Sequence, residues 1–156
     1  MLTIGAVMSE GAVAVNEHCG VSEIVATVER CRARTVAVVD AFGRLLGAIE
    51  RDDHPELFAH WAPRAPRVAG TGRQRDRRAR VGHCTAQDLM TPFPVVTDTS
   101  TVAAALESLD RDDADLAFVV DGLGCVVGTV TTLACRAILR TATDRLERPL
   151  YAEART

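Results

Sequence analysis

Two short stretches of this chain place side chains capable of polar chemistry at the end of an apolar run. The first, Gly47-Ala48-Ile49-Glu50-Arg51-Asp52-Asp53, offers carboxylates and a guanidinium. The second, Gly128-Thr129-Val130-Thr131-Thr132-Leu133-Ala134, offers hydroxyls. A carboxylate accepts several hydrogen bonds at once and a hydroxyl both donates and accepts, so either set can hold a small polar molecule. Each candidate also has a structural use. Asp53 falls where an acid complements a helix dipole, Thr131 where a hydroxyl caps a helix, and Gly47 and Gly128 where backbones pack closely.

Other reactive types are present without a supporting pattern. His18-Cys19 and His83-Cys84 together offer two nitrogens and two sulfurs, but the local spacings of a zinc site, such as C-x2-C, are absent. No cysteine stands in a pattern with His and an acid that would activate it, and neither G-x-S-x-G nor H-E-x-x-H occurs. The expectation is no enzyme, no metal and no resident cofactor. Seven arginines (Arg64, Arg67, Arg73, Arg75, Arg77, Arg78, Arg80) stand between Pro63 and Val81 against the single Asp76. Guanidinium groups suit phosphate, yet the stretch lacks interleaved aromatics and is punctuated by Pro63, Pro66, Gly70 and Gly72. It reads as a solvated linker, and as a docking loop for an unknown protein partner before it reads as a nucleic-acid surface.

The elements that must position these groups form a core of ordinary size. With 156 residues, 47% apolar and 25% charged, the chain can bury one substantial core or two small units sharing one. No run approaches a membrane span and the start lacks a basic secretion signal, so a cytoplasmic protein is expected. Five cysteines without close pairing then read as reduced thiols.

Laid over itself at an offset of 81, the sequence repeats. Val38-Val39-Asp40 falls on Val119-Val120-Asp121, Gly43 on Gly124, and Leu45-Leu46-Gly47 on Val126-Val127-Gly128. Nearer the start the offset is 82, pairing Val7-Met8 with Leu89-Met90 and Val13 with Val95. Each copy predicts one string of elements. An extended piece (13–15 or 95–97) leads to an amphipathic helix carrying Val21, Ile24, Val25, Val28 and Cys31, or Val102, Ala105, Leu106 and Leu109. Two apolar strands joined through Gly43 or Gly124 follow, and a helix closes each copy at about 51–60 or 133–146.

The expected fold is therefore α/β (α+β): two tandem β-α-β-β-α repeats packed in pseudo-twofold symmetry. The expected boundaries are repeat 1 at 1–60, the Arg/Pro/Gly-rich linker at 61–82, repeat 2 at 83–146 and a tail at 147–156. Such packing leaves equivalent clefts near helix N-termini, whose free N–H groups attract phosphate.

The ordered set resembles the cystathionine-beta-synthase (CBS) domain family. The resemblance rests on Asp88-Leu89-Met90-Thr91-Pro92 at the opening, Phe118-Val119-Val120-Asp121 in the middle, and the two closing stretches quoted first. It implies a Bateman module: a pair of repeats, often a homodimer, that binds AMP, ADP, ATP or S-adenosylmethionine and thereby modulates a partner or its own dimer. The ligand anchors it implies are Asp53, Arg51 and Gly47 in copy one and Thr131, Thr132 and Gly128 in copy two. A carboxylate suits this role because it accepts from both ribose hydroxyls, and a hydroxyl reaches ribose or phosphate. Both copies depart from the family pattern. Glu50 stands where a hydroxyl is expected, Ala134 where the ribose carboxylate is expected, and Ala37 and Phe118 replace a proline. The alternative is a ligand-free dimerisation or interaction scaffold whose clefts Phe118 or Glu50 fill.

Overall fold

The computed structural model describes residues 2–61 and 83–147. Residues 62–82, with the arginine run, and 148–156 lie outside them. The elements in chain order are α1 (Ile4–Val7), β1 (Ser9–Glu10), β2 (Ala14–Asn16), α2 (Val21–Cys31), β3 (Thr35–Val39), β4 (Leu45–Glu50), a 3-10 turn (Arg51–Asp53), α3 (Pro55–Trp61), α4 (Ala86–Leu89), β5 (Val95–Thr97), α5 (Val102–Arg111), β6 (Leu116–Val120), β7 (Val126–Thr131) and α6 (Thr132–Glu147). The mixed α/β class and the doubled order agree with the sequence reading.

The periodicity explains why these segments fold as they do. Helix α2 buries Val21, Ile24, Val25 and Val28, and α5 buries Val102, Ala105 and Leu109. Each set forms one stripe at helical spacing. Thr101 caps α5 by accepting from the Ala104 N–H at 3.1 Å, whereas Gly20 gives α2 no side-chain cap. Glycine is required at the tips of both strand pairs, where Gly43 and Gly124 take φ of 81° and 82°.

One expected helix is interrupted. The stretch at 51–60 is a 3-10 turn followed by α3, with His54 between them at φ −130° and ψ 54°. The cause is Pro55, which disfavours the helical region for the residue before it and is suited to a helix's first position.

The chain forms two compact units. The Asp53 unit comprises Gly11–Phe93 with Leu123–Val126, and the Thr131 unit comprises Met1–Glu10, Pro94–Gly122 and Val127–Thr156. The lead-in of each repeat thus belongs to the unit built on the other repeat. In the Asp53 unit the sheet runs β2-β3-β4, with β2 parallel and β4 antiparallel to β3. Thr91 from the second lead-in bridges Ala48 of β4 through reciprocal hydrogen bonds of 3.0 and 2.9 Å. In the Thr131 unit the sheet runs β1-β7-β6-β5, and β1 from the first lead-in pairs antiparallel with β7, Ser9 opposite Thr129 and Glu10 opposite Gly128.

Each unit has its own core. Val15, Ile24, Val28, Val36, Val38, Ile49, Leu57 and Phe58 pack in the first, with Ala86 from the lead-in. Val96, Val102, Leu109, Ala117, Val119, Val130 and Cys135 pack in the second, with Ile4 from the lead-in. Ile4 is fully buried. Burial of that size contributes about 1.5–3 kcal/mol, which fastens α1 to a unit otherwise built from residues beyond 93.

Candidate functional site

The two closing stretches lie at strand-to-helix junctions in different units. Glycines hold both junctions against the exchanged lead-ins. Gly47 is buried in β4, where an added Cβ would stand 3.0 Å from the Thr91 carbonyl and 3.1 Å from Met90 Sδ. Gly128 is tighter still, since its Cβ would collide with the Ser9 carbonyl oxygen and lie 3.0 Å from Met8 Sδ. Neither glycine's neighbourhood therefore requires a ligand to account for it.

In the Asp53 unit, strand β4 ends at Glu50 and the 3-10 turn begins. The Arg51 N–H donates to the Arg34 carbonyl at 2.8 Å, tying the turn to the entry of β3. The Arg51 guanidinium pairs with Glu29 at 3.1 Å and lies over the Phe58 ring, 5.5 Å from its centre. Asp52 pairs with Arg34 at 2.9 Å. These exposed or half-exposed pairs order the turn more than they stabilise it. Asp53 is exposed, and its carboxylate has no hydrogen bond or ion pair among the described residues.

In the Thr131 unit the hydroxyls are committed to the backbone. Thr131 Oγ1 accepts from the Ala134 N–H at 3.1 Å, which makes Thr131 the cap of α6. Thr132 is buried, donates its hydroxyl to the Ala114 carbonyl at 2.8 Å, and donates its N–H to the Asp115 carbonyl at 3.0 Å. That last bond is the counterpart of Arg51 to Arg34 in the other copy. Ala134 places a methyl group where Asp53 places a carboxylate, and Phe118 on β6 is fully buried.

Three ionisations are displaced for structural reasons. Desolvation raises Asp40, but hydrogen bonds from the Arg44 and Phe42 N–H groups and the Arg44 guanidinium outweigh it and hold the carboxyl low. Burial pushes the Cys19 thiol up to about 12, with Glu23 adding a hydrogen bond and its charge. Burial likewise raises Cys135. Both buried thiols therefore stay protonated at neutral pH, the opposite of an activated nucleophile. None of the five cysteines is in a disulfide, and among the described residues no group of three or more His, Cys, Asp or Glu could hold a metal ion. No described helix is long and apolar enough to cross a membrane.

The doubled elements, the glycine-bearing closing strands and the exchanged lead-ins point to one family, and residues 86–139 match it under the description CBS domain. The chain carries a CBS domain over residues 86–139. Its fold is similar to that of CBS pairs of known structure. The CBS domain of a CBS-domain-containing membrane protein from Sphaerobacter thermophilus is 22% identical, with a TM-score of 0.70, covering 88% of this chain and 87% of that one. CBSX2, solved in complex with AMP, is 20% identical, with a TM-score of 0.66, covering 91% of this chain and 99% of that one. The CBS domain of a bacterial CNNM/CorC family Mg2+ transporter, solved in complex with ATP, is 17% identical, with a TM-score of 0.64, covering 86% and 84%. No curated protein matches the sequence.

Of the six side chains and glycines expected to bind a ligand, the structure groups Gly47, Arg51 and Asp53 in one unit and Gly128, Thr131 and Thr132, within the CBS domain, in the other. Sequence reasoning passed over the residues that brace the junctions, Arg34, Glu29, Ala114 and Asp115. Their only signal was position, since Arg34 and Asp115 lie 81 residues apart and so are equivalent in the two copies.

Proposed function

We propose that this chain is a regulatory CBS-pair module that binds an adenosine-containing ligand, AMP, ADP, ATP or S-adenosylmethionine, and that it is not a catalyst. The observation that carries the reading is the state of Asp53: an exposed carboxylate with no partner among the described residues, beside Arg51 and Asp52, which are both paired. A carboxylate in that condition can accept hydrogen bonds from both hydroxyls of a ribose without giving up an internal bond. The complexes of CBSX2 with AMP and of the transporter's CBS domain with ATP support the ligand class. Arg51 and Gly47 frame the position, the first by fixing the turn and the second by admitting Thr91 against β4. Thr131, Thr132 and Gly128 serve the second junction as cap, brace and close contact.

Binding regulates only to the extent that the ligand prefers one conformation or assembly state over another. The states it discriminates are a homodimer and its separated protomers, or the bound and free forms of a protein partner engaged through the arginine-rich segment.

The test is thermal unfolding of the full chain with each of the four ligands. A ligand that binds only the folded state adds about 2.7 kcal/mol of stability at 100 times its dissociation constant. A shift that disappears in Asp53→Ala supports the reading. Absence of any shift, in folded protein free of carried-over nucleotide, favours the ligand-free scaffold, to which a fully buried Phe118 also belongs.

A further inference from the structure

We infer that the Glu50–Asp53 junction discriminates against phosphate and takes an adenosine-type nucleoside whose 5′ substituent is neutral or cationic, with one such ligand per chain; the inference rests on the ligand reading of Asp53 given above. Its basis is the local charge. Glu50, Asp52 and Asp53 stand within four consecutive residues, and Glu29 faces them through Arg51. Against these four carboxylates stand, among the described residues, two paired guanidinium groups, Arg51 on Glu29 at 3.1 Å and Arg34 on Asp52 at 2.9 Å. The Arg51 cation also lies over the Phe58 ring. Among the described residues no arginine of the junction is left to meet a phosphate, and the residue at the end of β4 is itself an acid, half-buried Glu50.

In this reading a ligand held at Asp53 by its ribose carries its 5′ substituent past carboxylates that stand one and three residues away along the chain, Asp52 and Glu50. A phosphate there meets like charge, while a neutral hydroxyl or thioether does not, and a sulfonium or ammonium group meets opposite charge. At close range one unit-charge repulsion at the protein surface weakens binding by about tenfold.

The second junction supplies the internal contrast. Thr131 occupies the position equivalent to Glu50, and its hydroxyl already accepts from Ala134 N–H, while Ala134 lacks the carboxylate that Asp53 has. That junction lacks the carboxylate that would accept from both ribose hydroxyls. The expected stoichiometry is therefore one.

Isothermal titration of the full chain with adenosine, S-adenosylmethionine, AMP and ATP at fixed ionic strength tests this. The variants are Glu50→Thr, which writes the second copy's residue into the first, and Glu50→Gln, which removes the charge at nearly constant shape. Wild-type protein is expected to bind adenosine and S-adenosylmethionine about tenfold or more tighter than AMP. Either Glu50 variant is expected to close most of that gap, by gaining AMP affinity and losing the advantage of the cationic ligand. Wild-type protein that binds AMP or ATP as tightly as the other two, with binding abolished by Asp53→Ala, overturns the charge selection and leaves the Asp53 reading standing. Failure of all four ligands on wild-type protein and on both folded Glu50 variants removes the Asp53 reading and this inference together. Two ligands per chain contradicts the single-site part alone.

Discussion

Gly128 of β7 lies so close to the carbonyl of Ser9 that a single added methyl group would collide with it. The contact joins the first ten residues to a sheet otherwise built from residues beyond 93, and it recurs in the other copy as Gly47 against Thr91 with more room. Gly128→Ala should therefore cost about 1–3 kcal/mol as an overpacking change, and Gly47→Ala distinctly less, because the backbone carbonyl it meets, that of Thr91, stands 3.0 Å away and need give only slightly. Denaturant midpoints of the two variants measure the difference. Equal, negligible effects would mean that the first lead-in is not held where the structure places it.

Ile4 tests the same exchange from the side of the core. It is fully buried among Val102, Leu109, Val130 and Cys135. Ile4→Ala should destabilise by about 2–5 kcal/mol, whereas a change at exposed Leu2 should stay within about 0.5 kcal/mol. A small effect at Ile4, comparable with Leu2, would show that the N-terminal segment does not complete that core.

This exchange marks the boundary of what the sequence discloses. Val36 to Val39 and Leu116 to Val120 are continuous apolar runs because they are buried along most of their length, so both strands are legible. The offset of 81 shows that residues are equivalent, but equivalence does not say on which copy a lead-in packs. The glycines at 47 and 128 read as sites of close backbone packing, but the sequence does not name what they pack against, which is the Met90–Thr91 and Met8–Ser9 segments. The helix expected at 51–60 broke because Pro55 acts on His54, an effect of one residue inside an otherwise suitable pattern. At the junctions, residue types were visible but commitments were not. Nothing in the sequence distinguishes Thr132, bonded to the Ala114 carbonyl, from Asp53, bonded to nothing among the described residues.

The threonines of the second junction are expected to behave as structure. Thr131→Ala loses a cap and should cost about 1 kcal/mol. Thr132→Val loses a buried donor and should cost about 0.5–1.5 kcal/mol, more if the Ala114 carbonyl stays dry. Neither should change affinity for an adenosyl ligand by more than about twofold at matched folded fraction. Calorimetry on the two variants, after their unfolding midpoints are known, separates these effects. A tenfold loss of affinity in Thr131→Ala would move the site to the second copy.

Alkaline pH should weaken the fold through its buried thiols. The Cys19 thiol is raised to about 12 in the folded protein against 9.0 for the unperturbed group, so the unfolded chain releases its proton first. The contribution is present in full below pH 9 and is lost as pH rises from there towards 12. Cys135, also raised by burial, acts in the same direction. Unfolding midpoints measured from pH 8 to 11 should fall for wild type and fall less steeply for Cys19→Ala. Identical slopes would contradict the assignment of the loss to Cys19.

The claim at the centre of this account is that Asp53 holds the ribose of an adenosine-containing ligand. Equilibrium dialysis of the full chain against radiolabelled S-adenosylmethionine and radiolabelled AMP, for wild type and Asp53→Asn, counts bound ligand directly. The account predicts saturable binding at one site per wild-type chain, with S-adenosylmethionine favoured, and loss of at least about tenfold in affinity in Asp53→Asn, whose unfolding midpoint should be unchanged because the side chain is exposed. Binding of equal strength by wild type and Asp53→Asn would contradict it, as would no saturable binding by folded wild-type protein.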